Sequence, residues 1–136
     1  MTEWSMKWLT RELQGLAIRL LSGLATLEFR DIQVTGDSSV SVRKGKPIVL
    51  YLLRLECRWE ATATAQGLGD AKGALILPEF SSEDGPKSSL IQVETSSDES
   101  RGRLASAVRK EGIPAVRELL LRFEEALRSQ LTRDAR

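Results

Sequence analysis

The strongest constraint on the fold of this chain is an apolar residue at every second position in the segment from about Ile48 to Ala65. The positions that show this alternation are Val49, Tyr51, Leu53, Leu55, Cys57 and Trp59. Because successive side chains of a β-strand point to opposite faces of its sheet, the pattern predicts one long strand whose odd positions face the core. Its even positions start with Ile48, Leu50 and Leu52 and become charged from Arg54 onward. The outer face is therefore predicted to be apolar at one end and charged at the other.

An amphipathic helix is predicted on each side of the strand region. The first spans about Thr2 to Leu21, with Thr2 or Ser5 as its N-cap, and it ends at Ser22-Gly23. The second spans Arg101 to about Thr132. The apolar positions that recur with helical spacing are Leu9, Leu13, Leu16 and Leu20 in the first helix, and Val116, Leu119, Leu120, Phe123, Leu127 and Leu131 in the second.

Shorter strands are predicted around the long one. The segments with a two-residue period are residues 27–34, 40–42, 72–80 and 90–93. The first of these changes parity, which predicts a β-bulge near Arg30-Asp31. Gly36-Asp37-Ser38 is predicted to form a turn, and Pro78 is expected to end the strand that begins at Lys72.

These elements predict an α+β fold class, since strands that follow one another through short turns pair antiparallel. The expected architecture is an N-terminal amphipathic helix, an antiparallel meander sheet of about four or five strands and a long C-terminal helix. Residues 1–136 are expected to form one elongated domain, because this length is common for a single domain.

The composition excludes several kinds of active site. The chain has no histidine and one cysteine, Cys57, which rules out a Ser-His-Asp or Cys-His catalytic group, a His/Cys zinc site and an internal disulfide. Its 20 basic and 19 acidic residues argue against a nucleic-acid-binding protein, and no stretch is apolar enough to cross a membrane. We expect a non-enzymatic, cytoplasmic protein that is monomeric on its own and needs no metal or cofactor. Neither nucleic acid nor a membrane is expected as a partner.

Two features of the sequence could form a binding surface. Arg43-Lys44-Gly45-Lys46 places three cations around a glycine that permits a tight turn. This basic tip either keeps a hairpin soluble or enters an acidic or polar cleft of a partner. The even positions Ile48, Leu50 and Leu52 either lie beneath another element or form an exposed apolar patch, which is typical of an interface.

The chain also contains an ordered set of short motifs that covers nearly its whole length. The motifs are Trp4-Ser5, Gly36-Asp37, Arg43-Lys44-Gly45-Lys46, Tyr51, Trp59, Leu77-Pro78-Glu79 and Val108-Arg109-Lys110-Glu111-Gly112. In this order and spacing they resemble the N-terminal domain of the activators of the heat-shock protein 90 ATPase. The basic tetrad alone is a weak motif, whereas the ordered set is much more specific.

The resemblance implies a co-chaperone that binds the middle segment of the heat-shock protein 90 dimer. In that family the domain remodels the loop that holds the chaperone's catalytic arginine and thereby favours ATP hydrolysis. The ATP and magnesium would belong to the partner. The partner-binding positions that the resemblance implies are Arg43, Lys44, Gly45, Lys46, Asp37, Ile48, Leu50 and Phe80.

The chain departs from the family pattern in two ways. The family's NxNNWHW stretch, which is implicated in nucleotide exchange, does not precede Trp4-Ser5, and the second domain of full-length members is not among these residues. Stimulation is therefore expected to be weaker than that of a full-length activator. The alternatives are a generic interaction domain with a basic tip, a small lipid-binding or scaffold domain, an enzyme using carboxylates such as Asp37 and Glu56, and a nucleic-acid module. The acidic stretch from Glu79 to Ser100 argues against the last of these.

Overall fold

The computed structural model describes residues 1–63, 70–95 and 102–134. Its strands are β1 (Ala17–Leu20), β2 (Ala25–Arg43), β3 (Lys46–Ala63), β4 (Asp70–Ser81) and β5 (Gln92–Thr95). Its helices are α1 (Thr2–Gln14), the single turn α2 (Gly85–Ser88), α3 (Arg103–Ala107) and α4 (Ile113–Asp134). A 3-10 turn at Leu21–Gly23 joins β1 to β2, and a π-helical turn at Val108–Gly112 joins α3 to α4.

The strands pair in the order β1-β2-β3-β4-β5, and every pair is antiparallel. The predicted α+β class with an antiparallel meander is confirmed, and the sheet has five strands. β2 and β3 are the longest strands, at 19 and 18 residues. Their neighbours cover only part of them, because β1 pairs with residues 25–28 and β4 with residues 52–62. β2 and β3 therefore form a hairpin whose turn lies beyond the rest of the sheet, and this hairpin is called the β2–β3 ribbon below.

The core lies on one face of the sheet, against α1 and α4. The odd positions of β3 are buried as predicted, and Trp59 has no exposed surface. Its indole Nε1 donates a hydrogen bond to the Glu94 carbonyl oxygen at 3.2 Å. Gly73 lies opposite Trp59 in β4, and a Cβ at Gly73 would come within 2.8 Å of the Trp59 ring and collide with the Glu94 carbonyl. Gly73 thus provides the space that the indole occupies.

An aromatic cluster joins the two ends of the chain to the middle of the sheet. The Trp8 and Phe123 rings lie 5.7 Å apart between their centroids and connect α1 to α4. Tyr51 of β3 lies 5.5 Å from Phe123 and 4.7 Å from Phe80. The Tyr51 hydroxyl donates to Glu124 Oε1 at 3.1 Å, and burial raises the pKa of this phenol well above its ordinary value. The cluster therefore fixes β3 to both terminal helices.

The predicted β-bulge near Arg30-Asp31 is confirmed. The register of β2 against β3 shifts between Arg30 and Gln33, and Asp31 has a φ of 52°. The extra residue changes which positions face inward, so that Phe29 before the bulge and Val34 after it are both buried.

The predicted turn at Gly36-Asp37-Ser38 is wrong, because β2 continues through these residues to Arg43. Gly36 pairs with Leu53 and has a φ of +121°, which side-chain-bearing residues rarely adopt. A Cβ at Gly36 would collide with the Leu52 carbonyl oxygen. The glycine therefore allows a close approach between two strands and does not reverse the chain.

The predicted first helix is too long. α1 ends at Gln14, and residues 17–20 form β1, in which Ile18 and Leu20 are buried and Arg19 is exposed. Leu20 fits a helical spacing and also the two-residue period of this strand, which explains the error. Gly15 is the C-cap of α1, and its N–H donates to the Arg11 carbonyl at 3.1 Å.

The predicted N-cap is also wrong, since Thr2 and Ser5 bind β2 and make no capping hydrogen bond. Thr2 Oγ1 accepts a hydrogen bond from the Ser38 N–H at 3.0 Å and donates to the Ser38 carbonyl at 3.3 Å. The hydroxyls of Ser5 and Ser38 lie 2.7 Å apart and are buried. Thr2 and Ser5 thus attach the start of α1 to β2 beside Asp37.

The later elements differ from prediction at their boundaries. Pro78 does not end β4, because a register shift between Leu53 and Leu55 absorbs it and the strand reaches Ser81. The long C-terminal helix is confirmed as α3 and α4 joined by the π-helical turn. The predicted end of β3 at Ala65 and the start of that helix at Arg101 lie outside the described residues. Within the described ranges, no helix is both long and apolar enough to span a bilayer.

Candidate functional site

The basic tip is the turn between β2 and β3. Lys44 and Gly45 are its two central residues, with φ values of 52° and 77°. Positive φ at both positions defines a type I′ turn, whose twist matches that of the flanking strands. Arg43 pairs with Lys46 across the turn, and all four residues are exposed. No carboxylate of the described residues forms an ion pair with the three cations of the tip.

The apolar patch of Ile48, Leu50 and Leu52 lies on the outer face of β3. Leu50 is 54% exposed and Leu52 is 55% exposed, while Ile48 is half-buried. Both long helices pack on the opposite face, so the patch is not covered by the described part of the chain. Ile48 and Leu50 pair with Ser41 and Ser39 of β2, which are too small to shield them. Of the two interpretations left open by the sequence, the exposed patch is correct.

Asp37 lies at the inner end of this patch, where it pairs with Leu52. A cleft of about 610 Å³ opens beside it between the ribbon and the segment after β4. Its lining includes Asp37, Leu52, Arg54, Glu79, Asp84 and Leu90. Three carboxylates against one guanidinium make this cleft acidic, and the exposed Leu52 and Leu90 give it an apolar wall.

Arg117 of α4 holds the segment that contributes Leu90. Its Nη1 donates to the carbonyl oxygens of Pro86 and Ser89, at 3.2 Å and 2.9 Å. The Ser89 hydroxyl in turn donates to the Gly85 carbonyl at 2.7 Å. Leu90 therefore has a fixed position relative to the sheet. Sequence reasoning missed both Leu90, which was assigned to a strand, and Arg117, which gives no signal on an amphipathic helix.

Phe80 does not belong to this surface. It has no exposed surface and packs against Tyr51 and Phe123 in the aromatic cluster. Its position in β4 places its ring on the core face, opposite Leu53. The expectation that Phe80 contacts a partner directly is wrong for this structure. The other seven expected positions lie on the β2–β3 ribbon, from Asp37 to Leu50, and all are at least partly exposed.

The ribbon thus presents three regions in succession. The basic tip is followed by the apolar patch and then by the acidic cleft at Asp37. An apolar centre between charged ends is the usual anatomy of a protein–protein interface.

The described residues contain no group of three or more His, Cys, Asp or Glu side chains placed to hold a metal ion. Cys57 is buried, and this burial raises the pKa of its thiol to about 12. Its sulfur is therefore a poor nucleophile at neutral pH.

Comparison with known proteins gives a consistent result. The chain is 30% identical to the Hsp90 co-chaperone HCH1 of Saccharomyces cerevisiae, over 96% of this chain and 86% of that protein. It is 26% identical to the human activator of 90 kDa heat shock protein ATPase homolog 1. That alignment covers 92% of this chain but only 37% of the human protein.

Solved structures share the fold. The crystal structure of Aha-1 from Plasmodium falciparum superposes with a TM-score of 0.83 at 26% identity, covering 98% of this chain and 88% of that one. The solution structure of the human Aha1 N-terminal domain superposes with a TM-score of 0.74 at 23% identity, covering 97% and 96%. The family model described as "Activator of Hsp90 ATPase, N-terminal" matches residues 1–130. The chain therefore belongs to the family of activator-of-Hsp90-ATPase N-terminal domains.

Proposed function

We propose that this protein is a co-chaperone that binds the middle segment of Hsp90 and stimulates its ATPase. The observation that supports this best is the β2–β3 ribbon, which presents the basic tip, the apolar patch and Asp37 on exposed, contiguous surface. Relatives named as an Hsp90 co-chaperone and as an activator of the 90 kDa heat shock protein ATPase support Hsp90 as the partner. The ATP, the magnesium ion and the catalytic groups belong to that partner.

The effect on the ATPase follows from selective binding. A binding protein shifts a conformational equilibrium only by its difference in affinity for the two states. The ribbon would bind the middle segment more tightly when the loop with the catalytic arginine is in its active position. The cations at the tip would contact acidic groups, and Leu50 and Leu52 would supply apolar contacts at the centre of the interface.

Removal of the charges at the tip tests this proposal. In the triple variant Arg43→Ala, Lys44→Ala and Lys46→Ala, we expect unchanged folding, because these side chains are exposed. Pull-down by the isolated middle segment and stimulation of full-length Hsp90 should both fall at least tenfold, since a few anchoring residues usually dominate an interface.

A second triple variant controls for net charge. Arg19, Arg109 and Lys110 are also exposed and lie away from the ribbon. Their replacement by alanine removes the same charge and should leave stimulation unchanged. Equal losses in the two triple variants, or normal stimulation by the first, would contradict the proposed role of the tip.

A further inference from the structure

The hairpin of β2 and β3 has two open edges, and they are not equivalent. Beyond Glu28, β2 has no strand neighbour other than β3, and β3 has no neighbour other than β2 before Leu52. Each edge is closed at its inner end by a hydroxyl-bearing residue. Thr2 binds both backbone groups of Ser38 in β2. Ser82 binds both backbone groups of Tyr51 in β3, at 2.9 Å and 3.2 Å.

These contacts establish which backbone groups point outward. In an antiparallel pair, residues that exchange hydrogen bonds alternate with residues whose N–H and C=O groups point away from each other. The backbone N–H and C=O groups of the opposed residues Ser38 and Tyr51 point away from each other, toward the two edges. The same holds for the backbone groups of the pairs Val40–Val49 and Val42–Pro47, which follow at two-residue intervals. At the outer end of the ribbon, the open edge of β2 therefore presents the N–H and C=O groups of Val40 and Val42. None of the described residues outside β2 and β3 hydrogen-bonds to them.

The edge of β3 is protected in a way that the edge of β2 is not. Pro47 has no N–H, so one outward position of β3 cannot donate to an added strand, and proline is a common means of blocking an edge. Val42, opposite it on β2, has its N–H and is 55% exposed. At this end of the ribbon, only the β2 edge offers both a donor and an acceptor at each of its two outward positions, whereas the β3 edge lacks the donor at Pro47.

We propose that an extended, acidic segment of the partner adds to the β2 edge at Val40 and Val42 as an extra strand. The charge of the neighbouring side chains selects the occupant. Arg43 directly follows the open edge, and Lys44 and Lys46 complete a tip whose cations have no ion-pair partner among the described residues. Main-chain hydrogen bonds would supply affinity, and carboxylates beside the tip would supply selectivity. This inference rests on the proposed function, because it names the kind of Hsp90 segment that the ribbon takes.

Amide hydrogen exchange followed by NMR tests the inference on the unaltered protein. Two probes are used: the isolated middle segment of Hsp90 and a short synthetic peptide of alternating glutamate and valine. Both should slow exchange at the Val40 and Val42 amides by at least tenfold. A peptide of alternating glutamate and proline has the same charge but lacks the backbone N–H at every second residue. It should therefore give these amides no protection.

A proline variant provides the second measurement. Val42→Pro removes one outward N–H and no hydrogen bond of the β2–β3 ladder, because Val42 and Pro47 form a pair that exchanges none. Its affinity for the middle segment should fall about tenfold, as expected for a hydrogen bond beside a cation. The matched variant Val42→Thr keeps the N–H and should bind as the wild type does.

The outcomes separate this inference from the proposed function. Binding of the middle segment without protection of the Val40 and Val42 amides would overturn strand addition and leave the proposed function intact. Protection by the glutamate–valine peptide without any binding of the middle segment would overturn the proposed partner but support an acidic strand as the occupant. Protection that is accompanied by dimerisation of this protein would mean that a second copy occupies the edge, which overturns the inference.

Discussion

Leu50 and Leu53 belong to the same strand but lie on opposite faces of the sheet. Leu53 is 1% exposed within the core, whereas Leu50 is 54% exposed on the apolar patch. Leu53→Ala should lower the free energy of unfolding by about 2–5 kcal/mol, because it leaves a cavity among packed side chains. Leu50→Ala should lower it by about 0.5 kcal/mol or less but weaken binding of the Hsp90 middle segment. Urea unfolding and titration calorimetry measure the two effects, and equal destabilisation would mean that Leu50 is part of the core.

The alternation along β3 is the reason these two leucines could be told apart from the sequence. Asp37 and Phe80 show where such reasoning fails. Asp37 follows a glycine that suggests a turn, but Gly36 adopts its positive φ within a strand, where it allows the backbone of Leu52 and Leu53 to approach closely. Phe80 lies after a register shift beside Pro78, so its face could not be deduced from counting positions. Irregular strand register was therefore the main reason why the sequence did not predict the positions of these single residues.

Among the elements, β3 and the C-terminal helix were predictable because each repeats its period over many residues. β2 was predicted only as two separate strands, because Gly36 suggested a turn between them. β1 was not predictable, since Ile18 and Leu20 give only two buried positions of evidence and Leu20 also fits a helix. The cleft was not predictable either. It depends on the contact between α4 and the segment after β4, where Arg117 makes two hydrogen bonds. No periodic pattern in the sequence indicates that contact.

That contact gives a prediction about the segment containing Leu90. Arg117→Ala leaves the Pro86 and Ser89 carbonyls without their donor, which should cost about 1–3 kcal/mol of stability as charge-assisted hydrogen bonds do. Exchange of the amides in residues 85–91 should accelerate more than exchange in β3, and affinity for the middle segment should fall severalfold. Arg122→Ala on the same helix is the control, because its ion pair with Glu12 is long, at 3.9 Å, and exposed. If both variants behaved alike, Arg117 would have no particular role in shaping the cleft.

For the whole molecule, the net charge of +1 conceals a separation of charge along the ribbon. The basic tip and the acidic cleft should each attract opposite charge on the partner and raise the association rate. Because salt screens such attraction over about 8 Å at physiological ionic strength, affinity should fall between low and high salt, chiefly through slower association. The part of the affinity that comes from the apolar contacts of Ile48 and Leu50 should persist at high salt.

The variant Asp37→Lys provides a test of this separation. Asp37 is exposed on β2, so its replacement should leave the fold intact and weaken binding, with an effect that shrinks as salt rises. Stopped-flow association at several ionic strengths compares it with the wild type. An association rate independent of salt, or an unchanged affinity in the variant, would leave only the apolar patch as the source of binding.

Trp8 of the first helix packs on Phe123 of the last, and Trp4 lies 6.3 Å from the same ring. Contacts between such distant parts of a chain form late, because the loop between them must close first. A ribosome synthesises the first helix long before Phe123 leaves the exit tunnel. During most of its translation, the nascent chain therefore has two indoles and the apolar side of α1 without their native cover. A member of a family that acts on a chaperone thus exposes, while it is being made, the kind of surface that chaperones bind.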